Sequence, residues 1–321
     1  MATVREGIIN EIFQPARKTY PRMKIDIRGL YETLSADLMD MQKHANENEG
    51  YNYILTVVDN FSKYAWAIPV KHKTGPAVTE AMSKILDEDP NRPIKNLHTD
   101  EGTEFFNGPF KKLMKKHGIN LYYTYSGIKN PIVERFNRTL RHLMEPELYK
   151  QGNNKWLALL PRLINFYNNK KHRTIKMTPV EATDPEKEKD ILKNVYQKEL
   201  WMENSKKKRR KERKKKGQKW RVGDYVRVSK RKLLFEKGYT PNYSMEIFKI
   251  VEIKNSNPPT YLLQDTYGKE IKGRFYEHEI KKTKYPNQYL VEKVIKKNKN
   301  KYYVKFLGFD KPEWINKKDF V

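Results

Sequence analysis

Residues 94–141 limit what this chain can fold into more than any other stretch: IKNLHTDEGTEFFNGPFKKLMKKHGINLYYTYSGIKNPIVERFNRTLR. The run opens as a strand, with Ile94 and Leu97 as its apolar positions, and breaks at a Gly-containing turn, Asp100-Glu101-Gly102-Thr103. Asp100 then stands at the C-terminal end of a strand, where open α/β sheets hold their sites. The run closes in a helix. Asn130 suits its N-cap, and Pro131 suits its first turn, where a missing N–H has no helical partner anyway. Val133, Phe136, Leu140 and Leu143 recur at helical spacing and predict a core-facing side. Glu134, Arg138 and Arg141 are four and three residues apart and share another side. That side reads either as a solvated i, i+4 ion pair or as a carboxylate beside phosphate-binding arginines.

A third carboxylate favours the second reading. Asp37 lies in the apolar, strand-like segment SADLMDMQ, and YNYILTVVDNFSKYAWAIPV reads as two further strands about a turn. Two divalent ions about 3.5–4 Å apart need oxygen ligands converging from several elements. Asp37, Asp100 and Glu134 are candidates for that set. Asp40 and Asp59 are nearby alternatives, and Asp59, at the end of a strand, also reads as a turn or cap residue. His98 and His172 invite a metal reading as well, although a lone histidine is more often structural.

The segments ADLMDMQ, YILTVVDNFSKYAWAIPV, HTDEGTEF and IVERFNRTLR resemble the integrase cores of retroviruses and retrotransposons. They are most similar to the integrases of Polinton/Maverick DNA transposons and related virophages. The resemblance runs over residues 31–183. It implies a DDE-superfamily α/β core with an RNase H-like fold, a mixed five-stranded sheet flanked by helices. It implies Asp37, Asp100 and Glu134 as catalytic metal ligands, with two Mg2+ ions per site and Mn2+ as substitute. Asn137, Arg138 and Arg141 stand where the family contacts DNA. The implied reaction trims an element's 3′ ends with water and then joins the 3′-hydroxyls to target DNA. Only 33 residues separate Asp100 from Glu134, fewer than in the usual retroviral pattern, so the chain departs from the family in the loop before Glu134. Two alternatives share the resemblance: a non-catalytic, integrase-derived DNA- or chromatin-binding protein, and an RNase H-type nuclease.

Charge points the same way. The 321 residues carry a net charge of +27, which calls for a polyanionic partner, most often nucleic acid. Double-stranded DNA, as element ends and as target, is the expected partner, and joining two ends implies a homo-oligomer, a dimer or tetramer on DNA. There is no apolar run of about 18 residues, so no membrane partner is expected. Cysteine is absent, so these residues supply neither a disulfide nor the two-His, two-Cys zinc domain of retroviral integrases, and zinc is not expected. The sequence also lacks His-x-x-Arg, which speaks against a tyrosine recombinase despite 21 tyrosines.

Taken in order, residues 1–30 read as an N-terminal arm with little core of its own. Residues 31–183 form the catalytic core, with helices expected over 74–88, 110–117 and 155–168, the last carrying Trp156, Leu159, Leu160, Leu163 and Phe166. Residues 184–219 are a charged helix and basic linker. Ten of the eleven residues 206–216 are basic, including Lys206, Lys207, Lys208, Arg209 and Arg210, and this run is expected to bind DNA backbone and direct entry to the host nucleus. Residues 220–283 alternate as five short strands and resemble the SH3-like barrel of integrases. Residues 284–321 resemble a chromodomain. That likeness implies a methyl-lysine cage of Tyr289, Phe306 and Phe309, methylated histone tails as partners, and a core-packing role for Trp314.

Overall fold

A computed structural model describes residues 3–17, 19–21, 27–123, 130–197, 219–230, 240–256, 258–309 and 311–317. The chain divides into two compact units, one of Ile25–Lys215, the other joining Met1–Lys24 to Lys216–Val321. Helix α1 (Val4–Phe13) therefore belongs with the C-terminal residues.

Five strands organise the first unit: β1 (Thr33–Asp40), β2 (Tyr53–Asp59), β3 (Ala65–Val70), β4 (Asn96–Thr99) and β5 (Asn120–Tyr123). Their order is β3-β2-β1-β4-β5, antiparallel through the first three and parallel across β1, β4 and β5. This is the mixed five-stranded, RNase H-like sheet that the resemblance implies. Helices α2 (Gly75–Glu88) and α3 (Gly108–Lys116) cover one face; α4 (Pro131–Gln151) and α5 (Leu160–Asn169) cover the other. Successive strand residues point to opposite faces. Leu34 and Ala36 of β1, with Leu55 and Val57 of β2, pack against α2 and α3. Met39, Ile54 and Val58 pack against α4 and α5. Asp37 is in phase with Met39, so its side chain is directed to the α4 layer.

Local chemistry fixes the layers. Buried Asp59 closes the β2–β3 turn, its Oδ2 accepting from the Ser62 amide at 2.8 Å and the Ser62 hydroxyl at 2.6 Å. The edge strand β3 is capped from α5: the Asn168 side chain accepts from the Ala65 amide at 3.0 Å and donates to its carbonyl at 2.9 Å. Helix α5 starts at Leu160, later than the spacing over 155–168 predicts, and Pro161 in its first turn marks the start. Its buried stripe is Leu160, Leu163 and Tyr167, which leaves Phe166 outside and 51% exposed, while Trp156 is buried ahead of the helix.

In the second unit, β6 (Tyr225–Val228), β7 (Phe248–Lys254), β8 (Thr260–Gln264), β9 (Phe275–Tyr276) and β10 (Ile280–Lys282) form an antiparallel sheet in the order β10-β6-β7-β8-β9. Trp220, Val226, Phe248, Ile250, Tyr261, Leu263 and Ile280 make its core. A further antiparallel sheet, β11 (Val291–Lys297), β12 (Lys301–Phe306) and β13 (Glu313–Asn316), has β12 at its centre. Both sheets are consistent with small β modules.

Helix α1 opens with a capping box between Thr3 and Glu6 and buries Ile8, Glu11 and Ile12. Arg227, in the middle of β6, is 1% exposed beneath it. Its Nε donates to Glu11 Oε2 at 3.3 Å, and its Nη1 donates to the carbonyls of Ser244 at 3.1 Å and Met245 at 2.6 Å. The Thr283 hydroxyl and the Lys284 amide also donate to the Glu11 carboxylate, each at 2.8 Å. The Ile12 carbonyl accepts from the amides of Asn242 and Tyr243, at 2.8 and 3.0 Å. The N-terminal segment, read from sequence as an arm, thus contributes a helix that completes the buried side of the C-terminal unit. Trp314, assigned to core from sequence, is 50% exposed. Register explains the difference: Trp314 lies opposite Tyr303, on the face of β12 away from fully buried Val304.

Candidate active site

The N-terminus of α4 is tied to the end of β4. Asn130, 1% exposed, caps α4 by accepting from the Ile132 amide at 3.3 Å and donates to the His98 carbonyl at 3.2 Å. One side chain therefore sets the helix bearing Glu134 against the strand that leads into Asp100. In the turn after Asp100, a Cβ on Gly102 would stand 2.4 Å from the buried Glu104 carboxylate, so a larger residue there would displace that side chain.

The Asp37 carboxylate is held at both oxygens. Its Oδ1 accepts from the Leu38 amide at 2.9 Å and its Oδ2 from the Asn137 side-chain amide at 2.8 Å. Asn137 Oδ1 accepts in turn from the buried Thr56 hydroxyl at 2.7 Å. Thr56 lies directly opposite Asp37 on β2, so strand register brings Thr56, Asp37 and Asn137 together on the α4 face. Glu134 lies exposed in the first turn of α4. Asp37, Glu134, Asn137, Arg138 and Arg141 line one surface depression between β1 and α4. Arg141 is anchored there by donating from Nη2 to the Asp40 carbonyl at 2.9 Å; a guanidinium has five N–H donors, so this bond does not exhaust it. Of the predicted DNA-contacting residues, Asn137, Arg138 and Arg141 share the depression. Lys206, Lys207, Lys208, Arg209 and Arg210 fall outside the described residues, as does 124–129, the loop before Glu134.

Asp100, directly after the strand beside β1, is not among the residues lining the depression. Among the described residues, no group of three or more His, Cys, Asp or Glu side chains stands close enough to hold one metal ion. Asp37 and Glu134 form an all-oxygen pair that suits a hard divalent cation. The third carboxylate is not drawn in.

Neither histidine lines the depression. His98 is buried and stacked on Tyr122, ring centroids 4.8 Å apart and planes within 2°; burial lowers its pKa against the pull of Asp100. His172 Nδ1 accepts from the Thr174 amide at 3.2 Å. Burial, with Lys63, Arg135 and Arg173 nearby, pushes its pKa from 6.5 down to about 4. Unfolded His172 takes a proton near pH 6.5, whereas the folded side chain resists it. Its contribution to stability is complete above that pH and fades as pH falls toward 4, by about 1–2 kcal/mol once solvent screening is allowed for. Chemical denaturation at pH 7 and pH 4.5 should show this loss, and His172→Gln should reduce it.

In the second unit, three half-exposed rings converge. Tyr289 and Phe306 have centroids 5.6 Å apart, Tyr289 and Phe309 5.2 Å, and Phe306 and Phe309 6.2 Å. Their interplanar angles are 55°, 86° and 68°, so the rings form walls and not a stack.

Comparison with known proteins bears on the first unit. Residues 32–127 match the integrase core domain. The match includes Asp37 and Asp100 and ends before Glu134. An uncharacterized transposon-derived protein of Caenorhabditis elegans is 28% identical over 208 residues, 65% of each chain. The Pol polyprotein of Radiation murine leukemia virus (strain Kaplan) is 32% identical over 114 residues, 35% of this chain and 19% of that one. The Pro-Pol polyprotein of Simian foamy virus type 1 is 28% identical over 161 residues, 48% of this chain and 14% of that one. The chain thus spans about two thirds of the nematode relative and a fifth or less of these viral polyproteins. A solved HTLV-2 integrase catalytic core domain, in complex with magnesium and in a trimeric form, aligns with a TM-score of 0.40 at 15% identity. That alignment covers 48% of this chain and 96% of that one.

Proposed function

We propose that this chain is the integrase of a mobile element of the Polinton/Maverick type, a polynucleotidyl transferase that processes DNA 3′ ends and joins them to target DNA. The observation that carries the proposal is the depression between β1 and α4, where Asp37 and Glu134 lie beside Asn137, Arg138 and Arg141, inside and just beyond a stretch matching the integrase core domain. Asp37 and Glu134, joined by Asp100, would hold Mg2+, with Mn2+ as substitute. Bound divalent ions supply charge neutralisation at the transferring phosphoryl group and a more acidic attacking hydroxyl. The chain's own residues do the rest. Leu38 and Asn137 hold the Asp37 carboxylate in one orientation. Arg138 and Arg141 hold the DNA phosphates against it. In the joining step the 3′-hydroxyl oxygen forms a bond to a target phosphorus, and the bond from that phosphorus to its own 3′ oxygen breaks.

The remaining parts fit the same reading. Residues 206–216 would add sequence-independent DNA affinity and nuclear targeting, and two DNA ends require a homo-oligomer. The two β modules would serve as SH3-like and chromodomain-like attachments. Tyr289, Phe306 and Phe309 would enclose a methylated lysine by cation–π attraction. Tyr289→Ala should then abolish any preference of the intact protein for a trimethyl-lysine histone peptide over its unmodified form. Equal binding to both peptides by the unaltered protein would refute the cage.

Asn137 acts through Asp37. Asn137→Ala should lower joining by about 10- to 100-fold, as loss of a ligand-orienting partner usually does, and raise the magnesium concentration needed. An unchanged magnesium dependence would show that the clamp is only structural. The function itself is tested by incubating the intact protein, in magnesium, with duplex DNA carrying the element's terminal sequence and a supercoiled plasmid. Joined products support an integrase. Nicking without joining indicates a nuclease, and binding alone indicates a non-catalytic derivative.

A further inference from the structure

The outward face of the last sheet is built unlike a surface that only meets water. Residues 301, 303 and 305 of β12 alternate onto one face. Directly opposite them, register places Asn316 against Lys301, Lys296 and Trp314 against Tyr303, and Lys293 against Lys305. The face therefore carries two aromatic rings with four lysines around them. Tyr303 and Trp314 have centroids 5.1 Å apart at an interplanar angle of 37°, and Trp314 is 50% exposed. Lys293, Lys296 and Lys301 are exposed, and Lys305 is half-exposed and pairs with Glu292 at 3.1 Å. Setting Lys293 opposite Lys305 is unfavourable for an isolated sheet, because like charges repel across strands. The other face of β12, with Tyr302, Val304 and Phe306, is the packed one, and Val304 on it is fully buried. The aromatic pair is thus not needed for the core.

We infer that this face binds single-stranded nucleic acid, bases stacking on Trp314 and Tyr303 and phosphates following Lys293, Lys296, Lys301 and Lys305. Every base presents a flat π-face to an exposed ring, and a lysine border draws in the backbone between stacked bases. Duplex DNA fits less well, because its bases are already stacked on one another. The lysines favour a polyanion over a second copy of this basic chain. The surface is separate from the aromatic triad, to which β12 contributes Phe306 from its opposite face.

The intact protein would also bind DNA through basic residues elsewhere, so the test must read this face locally. The full chain contains five tryptophans, and Trp66, Trp156 and Trp220 are buried. Labelled with 5-fluorotryptophan, its fluorine spectrum identifies Trp314 as the resonance that disappears in Trp314→Phe. Titration with a ten-nucleotide oligo-dT should move that resonance and leave Trp156 in place. A parallel titration with oligo-rU distinguishes DNA from RNA as the better ligand. Tyr303→Ala should weaken the affinity read at Trp314 by about fivefold or more. Lys296→Gln with Lys301→Gln should flatten its log–log salt slope by about 0.7 for each phosphate no longer neutralised. Tyr289→Ala should change neither. A Trp314 resonance that stays fixed at saturating oligonucleotide would overturn the inference. So would one that moves as far with a blunt duplex, or one that moves with protein concentration alone.

Discussion

Asp37→Asn, Asp100→Asn and Glu134→Gln should each abolish both end processing and joining, with losses of at least about a thousandfold. Each substitution keeps the size of the side chain and removes the charge that a divalent ion requires. Metal-derived stabilisation of the transition state is worth several kcal/mol, and roughly 4 kcal/mol is about three decades of rate. DNA binding should persist, because it rests on basic residues. The prediction is sharpest for Asp100, which directly follows the strand beside β1 yet does not line the depression holding Asp37 and Glu134. If Asp100→Asn joins DNA at a near-normal rate in magnesium while the other two do not, the site works with two carboxylates, and Asp100 is misassigned.

Glu11→Ala should destabilise the C-terminal unit by about 3–5 kcal/mol, because it leaves Arg227 as a buried cation without its counter-charge. Glu11 also accepts from the Thr283 hydroxyl and the Lys284 amide, so three donors lose an acceptor at once. Burial already depresses the Arg227 pKa, and the bond to Glu11 is what opposes that shift. Replacing both partners, Glu11→Leu with Arg227→Met, should recover much of the loss, since no unpaired charge then remains. Thermal unfolding followed through Trp220, which is buried in the same unit, reads the effect directly. A loss below about 1 kcal/mol for Glu11→Ala would place the pair among ordinary surface ion pairs.

The sequence made the central sheet and α4 legible because their signals are local. Apolar, strand-like runs marked β1 and β2, Asn130 and Pro131 marked the start of α4, and the four- and three-residue steps from Glu134 placed Arg138 and Arg141 beside it. Partners that meet across long separations were not legible. Glu11 and Arg227 are 216 positions apart, and no local pattern says that an amphipathic arm will cover β6. Asn137 and Asp37 are 100 apart. The resemblance placed Asn137 among the DNA-contacting residues that follow Glu134, but only register and helix placement show it clamping the Asp37 carboxylate. Trp314 was misread for a related reason. Its face depends on the β12–β13 register, and a tryptophan read by likeness alone looks like core.

The most direct test of the account is the stereochemistry of joining at a single phosphorus. With a target whose attacked phosphate is a chiral phosphorothioate, attack by the 3′-hydroxyl in one in-line step, with no bond to the protein, predicts an inverted product. Retention of configuration would mean two displacements through a protein-linked intermediate, and would contradict the assignment of the chemistry to Asp37, Asp100 and Glu134.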